Sequence, residues 1–363
     1  MALLEGVKIL DLSRVLAGPF ATMYLSDLGA EVIKIEPPEG DETRRYTPIV
    51  NGVSTYYYSV NRGKEVIFLD LKDDGDRTVL KKYIEESDIL IHNYRMDTAR
   101  RLGVTYRDVL EVNPKIIYAS IKGFDGEEGR FPAYDLIIQA RSGIMMATGY
   151  EESPPVRVGF ALADIFAGLY LATGILSALY GGSRPCEIEV FLYDSLLYSM
   201  TYLTTSYLIA GVEPGRHGSG HPSIVPYQAF QCRDGGYVAI AAPNNKFFNL
   251  LCRALGLEEL LSDERFIDNP SRVRYRDDLI KVLSDRIREL DTEEILDRLG
   301  RLGVPHSKVN TVGEALRESY VCDAGILGLV HDIELGAIKM VKPPIKIDGE
   351  RPFKGSPPIE GRR

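Results

Sequence analysis

Short apolar runs alternate with amphipathic stretches over roughly the first two hundred residues, a rhythm of strand and helix. Residues 7–12, 31–36, 66–71 (VIFLDL), 89–92 (ILIH) and 116–121 (IIYASI) are aliphatic-rich runs suited to strands buried on both faces. Between them, helical patterns end near Leu28 and cover residues 73–86 and 98–113. A further strand is predicted over 187–192 and a Tyr/Thr/Ser-rich helix over 194–209. Such alternation predicts a doubly wound parallel sheet, an α/β fold.

The opening strand–helix–strand unit is of the nucleotide-binding type, but its turn reads Ala17-Gly18-Pro19. A dinucleotide fold would carry G-x-G-x-x-G there, so a nucleotide-like ligand other than NAD is expected. After Gly211 the texture changes. GVEPGRHGSGHPSIVPYQAF is dense in Gly, Pro, Ser and His and marks a long loop or domain crossing. A strand in YVAIAAP and helices over 245–255, 277–290 and 292–302 follow, then a strand-like tail from Ala324. The expected organisation is a large domain over 1–210, a linker and small domain over 211–320, and a return to the large domain over 321–363.

Residues 158–180, VGFALADIFAGLYLATGILSALY, are apolar enough to suggest a membrane span. They also hold Asp164, and a carboxylate near a membrane centre costs about 2.5–3.5 kcal/mol. A helix inside a large soluble core is the reading adopted. Its small residues, Gly168 with Ala172 and Gly174 with Ala178, would admit a close helix neighbour.

Composition narrows the function. The 363 residues can bury a large core, and a net charge of -9 argues against a nucleic-acid partner. Cys186, Cys232, Cys252 and Cys322 form no C-x-x-C pair, which disfavours a zinc site or disulfide framework and suits a reducing compartment. MALLEGVKIL lacks the basic start and cleavage site of a signal peptide, so a cytoplasmic location is expected.

Four segments taken in order, LSRVLAGP with LSDLGAEVIKIE, NRGK with LDLK, YDLIIQARSG, and VGFALADIFAG, resemble the family III CoA-transferases, the CaiB/BaiF family. The resemblance implies a Rossmann-like large domain, a smaller α+β domain, and an interlocked homodimer of ring-shaped chains with its active site at the interface. It also implies an aspartate nucleophile, matched by Asp164. The chemistry needs a carboxylate: attack on a donor thioester gives a mixed anhydride, and the released thiolate then forms an enzyme thioester. Water must be kept from both intermediates. A plainer role for Asp164 is that of a helix N-cap.

CoA is implied as substrate, with no resident cofactor and no metal. The family's CoA contacts correspond to Ala17, Leu69, Lys72, Asn93, Tyr94, Arg95, Arg101 and Tyr134, with Lys72 and Arg101 as phosphate contacts. Pro37 stands where some members have an arginine, so Arg44 or Arg45 is the substitute cation considered, and Leu16 replaces a glutamine. The loop over 215–221, with His217 and His221, is either a lid over the nucleophile or an interdomain linker. The family also includes α-methylacyl-CoA racemases, whose histidine base is Tyr134 here, before Asp135. Tyrosine, with an ordinary pKa of about 10, is a poor base at neutral pH. CoA transfer between an acyl-CoA and a free carboxylic acid is therefore the expected function. A racemase or epimerase and a non-catalytic acyl-CoA-binding protein are the alternatives.

Overall fold

The structure is a computed structural model that describes residues 3–361. β1 (Lys8–Asp11) leads into α1 (Ala17–Asp27) and β2 (Glu31–Glu36). Ala17-Gly18-Pro19, expected as a tight turn, is instead the first turn of α1. Proline is tolerated there because its missing N–H has no intrahelical partner at that position. The reversal occurs just before, where Val15 takes φ +66°.

The chain continues through a small hairpin, β3 (Ile49–Val50) and β4 (Val53–Ser54), then α2 (Thr55–Asn61), β5 (Glu65–Phe68) and α3 (Asp74–Glu86). β6 (Ile89–His92), α4 (Met96–Leu102), α5 (Tyr106–Val112) and β7 (Ile117–Lys122) follow. The helix expected over 98–113 is thus two. Gly103 ends α4 at φ +67°, and a Thr105–Asp108 capping box starts α5. Next come α6 (Asp135–Arg141), α7 (Ile144–Ala147), α8 (Leu162–Gly181), β8 (Cys186–Phe191) and α9 (Leu192–Ser199). The Tyr-rich helix expected over 194–209 breaks at Thr201, φ +43°, into α9 and α10 (Tyr202–Ala210).

Later strands are β9 (Tyr227–Gln231), β10 (Tyr237–Ala241), β11 (His306–Lys308), the hairpin β12 (Leu327–Asp332) with β13 (Gly336–Val341), and β14 (Ile359–Glu360). The main sheet has the order β14-β5-β2-β1-β6-β7-β8, parallel throughout. The chain winds outward from β1 to β5, crosses back, and winds the other way through β8. Strand order therefore reverses between β1 and β6. Ile9, Leu10, Ile67, Leu90, Ile91 and Ala119 are fully buried, as strands covered on both faces require.

Two compact units are present. The first runs to Ser142, resumes over Val158–Thr204 and again from Ser319; the second comprises Gly143–Arg157 and Thr205–Glu318. The second has its own core, with Phe248, Leu251, Leu279, Leu283 and Leu299 packed under the β11-β10-β9 antiparallel sheet. Its buried Arg272 donates to the carbonyls of Val225 and Phe266 and to Asn245 while lying over the Phe248 ring. Residues 215–221 are held within this unit: Gly218 N–H donates to Gly149 O at 2.8 Å, and Arg276 donates to the carbonyls of His221 and Pro222.

The apolar segment becomes α8, 20 residues long and apolar enough by length and composition to cross a membrane. Ala163, Ala167, Gly168, Leu171, Ala172 and Ile175 are buried in the first unit. Gly168 lies against α1, where a Cβ would meet Ala17 O at 2.7 Å, and Gly174 lies against Ile188 of β8.

Candidate active site

In an open parallel sheet the crevice for a ligand lies beyond the carboxyl ends of the strands where their order reverses. Here those ends are the loop after β1, residues 12–16, and the loop after β6, residues 93–95. Both line one cavity of about 350 Å³, together with Lys122 at the carboxyl end of β7, Tyr134 before α6, and Asp164 in the first turn of α8. Sequence-distant groups are brought together because each stands at or just beyond a strand's carboxyl end or at a helix start.

The two loops are stapled to each other. Arg14 N–H donates to Asn93 Oδ1 at 2.9 Å, and Asn93 Nδ2 donates back to Arg14 O at 2.7 Å. Buried Lys34 donates to Ser13 O at 2.7 Å, and Asp41 accepts the Val15 N–H at 3.2 Å, which supports the unusual Val15 backbone. Asp11 accepts from Thr22 and Lys64 beneath the loop; although burial opposes its charge, Lys64 and Lys34 hold its pKa below the usual carboxylate range. On the other side His92 Nδ1 accepts the Tyr94 N–H at 3.0 Å, so Nε2 carries the proton and faces Tyr118 Oη at 2.6 Å. Burial pushes the His92 imidazole down to about 3, so it stays neutral and fixed.

Asp164 sits at the third position of α8, whose N-cap is Ala161 with no side-chain cap; the N-cap role is therefore excluded. The positive helix end favours its carboxylate. Burial and the nearby Asp135 carboxyl outweigh that and push the acid up to about 7. Tyr56 faces the same charge: burial and Asp164 push its phenol up to about 12, so it remains a neutral hydroxyl. A carboxyl poised near neutrality at the wall of a cavity is suited to nucleophilic or proton-transfer work.

Of the residues singled out in the sequence, Ala17, Asn93, Tyr94, Arg95, Tyr134 and Asp164 line this cavity. Asn93, however, has its amide committed to the Arg14 peptide. Leu69 is buried, Lys72 is exposed, and neither lines the cavity. Arg101 lines a separate groove beside α3, with Arg77, Lys81 and Arg100. Arg44, weighed as the substitute for Pro37, is spent on Glu36: Nε is 2.6 Å from Glu36 Oε2, and Nη2 donates to Tyr57. Glu36 ends β2, where a dinucleotide fold presents an acid to a ribose; here it is buried and paired, which agrees with the missing glycine fingerprint. Residues not foreseen are Arg14, paired with Glu42 at 2.9 Å, and Lys122, paired with Glu189. Lys122 directly follows a predicted strand and could have been flagged by the strand-end rule alone. Among the described residues no cluster of three or more His, Cys, Asp or Glu side chains is arranged to hold a metal ion.

Comparison with known proteins identifies the family. Residues 4–363 match the family model for CoA-transferase family III. The chain is 39% identical to an acetyl-CoA:oxalate CoA-transferase of Acetobacter aceti, covering 98% of this chain and 92% of that one. It is 39% identical to the human succinyl-CoA:glutarate CoA-transferase, covering 98% and 82%, and 35% identical to a succinyl-CoA:mesaconate CoA-transferase of Haloarcula hispanica, covering 98% and 92%. The crystal structure of a CaiB/BaiF family protein from Brucella suis superposes with a TM-score of 0.87 at 34% identity, covering 98% of this chain and 96% of that one.

Proposed function

The chain belongs to the family III CoA-transferases and moves CoA from an acyl-CoA to a free carboxylic acid; we propose that Asp164 is its covalent relay and that the acids exchanged include a short dicarboxylic acid. The observation that carries the relay is a carboxyl in the first turn of α8, walling the switch-point cavity and pushed up to about 7 by burial and Asp135. The dicarboxylate class is supported by the relatives named for oxalate, glutarate and mesaconate.

In the proposed sequence the Asp164 carboxylate attacks the thioester carbonyl, the C–S bond breaks, and CoA leaves as thiolate beside an aspartyl–acyl anhydride. The thiolate attacks the aspartyl carbonyl and expels the donor acid as carboxylate, leaving an aspartyl–CoA thioester. The acceptor carboxylate attacks that thioester, forming a second anhydride and thiolate. Thiolate attack on the acceptor acyl carbonyl yields the new acyl-CoA and restores Asp164. Neutral Tyr56 nearby is suited to hydrogen-bond the carboxylate. The thioester end of CoA enters beside Ala17, Tyr94 and Tyr134, and Arg95, which lines the same cavity, is the cation placed to meet a phosphate.

A homodimer completes the proposal. The first unit is made of three chain stretches, so the chain leaves it and returns twice. Its surface exposes Leu169, Tyr180 and Tyr198, with Tyr180 96% accessible, apolar area that a second copy would cover. Unpaired cysteines fit a cytoplasmic setting.

The test is chemical trapping. Incubation with succinyl-CoA and hydroxylamine, followed by peptide mass mapping, should mark Asp164. Asp164→Ala should lose several orders of magnitude in turnover. Near-normal turnover by that variant would overturn the relay.

A further inference from the structure

Asp135 and Gln139 lie four apart on α6, on one face of the helix, and both are buried. Their side chains reach across to the segment that delivers Asp164. Asp135 Oδ1 accepts the Ala163 N–H at 2.9 Å, one residue before Asp164. Asp135 Oδ2 accepts from Gln139 Nε2 at 2.7 Å, and Gln139 Oε1 accepts the Val158 N–H at 2.8 Å. Val158 is where the chain re-enters the first unit. The re-entry point and the first turn of α8 are therefore both gripped by one hydrogen-bonded pair. The helix lacks a side-chain cap at Ala161, so Asp135 supplies from α6 what a cap would supply locally.

We propose that Asp135 and Gln139 are positioning residues for the reaction: as a pair they hold the first turn of α8 so that the Asp164 carboxyl meets the thioester at attacking distance. This rests on Asp164 being the nucleophile. Neither side chain lines the cavity, so neither acts on the substrate there; both act through the backbone of residues 158–163, and Asp135 also through its charge on Asp164.

The donor pattern permits a decisive exchange. In Asp135→Asn the new amide N–H faces Gln139 Nε2; turning the Gln139 amide to accept it would point Nε2 at the Val158 N–H. In Gln139→Glu two carboxylates face each other. The double variant Asp135→Asn/Gln139→Glu reverses the donor and acceptor between the two positions and gives up only the long 3.4 Å contact of Gln139 Nε2 with Phe160 O. Its asparagine amide still accepts from Ala163 through oxygen and donates through nitrogen to the introduced glutamate, whose other oxygen accepts from Val158. Each single variant should lose kcat on the order of 10²-fold with KM for succinyl-CoA within about threefold, because a small misplacement of the nucleophile leaves binding intact. The double variant should recover at least about tenfold over the poorer single. Melting temperatures are recorded alongside, with Gln139→Met as a third, charge-free probe and Asp164→Asn as the reference for a missing nucleophile. Wild-type kcat in Gln139→Met, or no recovery in a folded double variant, overturns the positioning role. Full turnover by Asp164→Asn would instead sink the nucleophile and this inference with it; an inactive Asp164→Asn beside a fully active Gln139→Met rejects the positioning alone.

Discussion

Asp164 carries opposing influences in a single side chain. The α8 N-terminus stabilises its charge, while burial and Asp135 destabilise it and win, pushing the acid up to about 7. Since the carboxylate is the attacking species, kcat/KM should rise through pH about 7 and level off above it. The same shift makes a stability prediction. Between the ordinary aspartate value near 4 and the folded value near 7, the native state holds a proton that the unfolded state has released. Stability from this group therefore falls as pH rises through that window and stays low above it. Asp164→Asn should melt higher than the parent at about pH 8.5, and the gap should close on approach to about pH 4. Thermal melts at the two pH values read this directly, and an equal gap at both would mean the carboxyl is unshifted.

Between elements, the contact of α8 with α1 is set by a missing side chain. A Cβ on Gly168 would lie 2.7 Å from the Ala17 carbonyl and 3.0 Å from the Phe20 ring, and the backbone atom cannot step aside. Gly168→Ala should therefore push the helices apart, costing about 1–3 kcal/mol in denaturant titrations. Because Ala17 walls the cavity and Asp164 is one helical turn from Gly168, turnover should fall as well. Gly174→Ala is the control. Its Cβ would meet only the Ile188 side chain, at 3.1 Å, which can yield by a few tenths of an ångström. Equal stability of the two variants would show that the α1 contact does not fix this spacing.

For the whole molecule the decisive property is the proposed assembly. Ring-shaped chains that pass through one another cannot part without opening a unit, so dissociation and unfolding should coincide. Sedimentation at nanomolar concentration should give one species of twice 40.5 kDa. A folded, stable monomer under those conditions would rule out the interlocked arrangement.

Much of the sheet was legible in the sequence because a parallel strand covered on both faces must be apolar on both, and residues 89–92 and 116–121 carry that signal without alternation. Helix breaks were less visible. Gly103 splits α4 from α5 by taking φ +67°, while Thr201 ends α9 with a positive φ that its residue type does not advertise. Asp164 could be singled out through the LADIFAG resemblance, yet its place inside the first turn and not at the cap came from the fold. Which side chains would stand with it was beyond local pattern. Arg14, Lys122 and Asp164 meet because the strand order reverses between β1 and β6 and brings those carboxyl ends to one crevice, whereas Arg101, equally basic in sequence, lies in another groove. Asn93 and Arg44 are polar in sequence and committed in the fold, one to the Arg14 peptide and one to Glu36. Residue chemistry and hydrophobic period are local and are written along the chain. Partnership is a property of strand order and helix approach, and it comes into being only when distant segments pack.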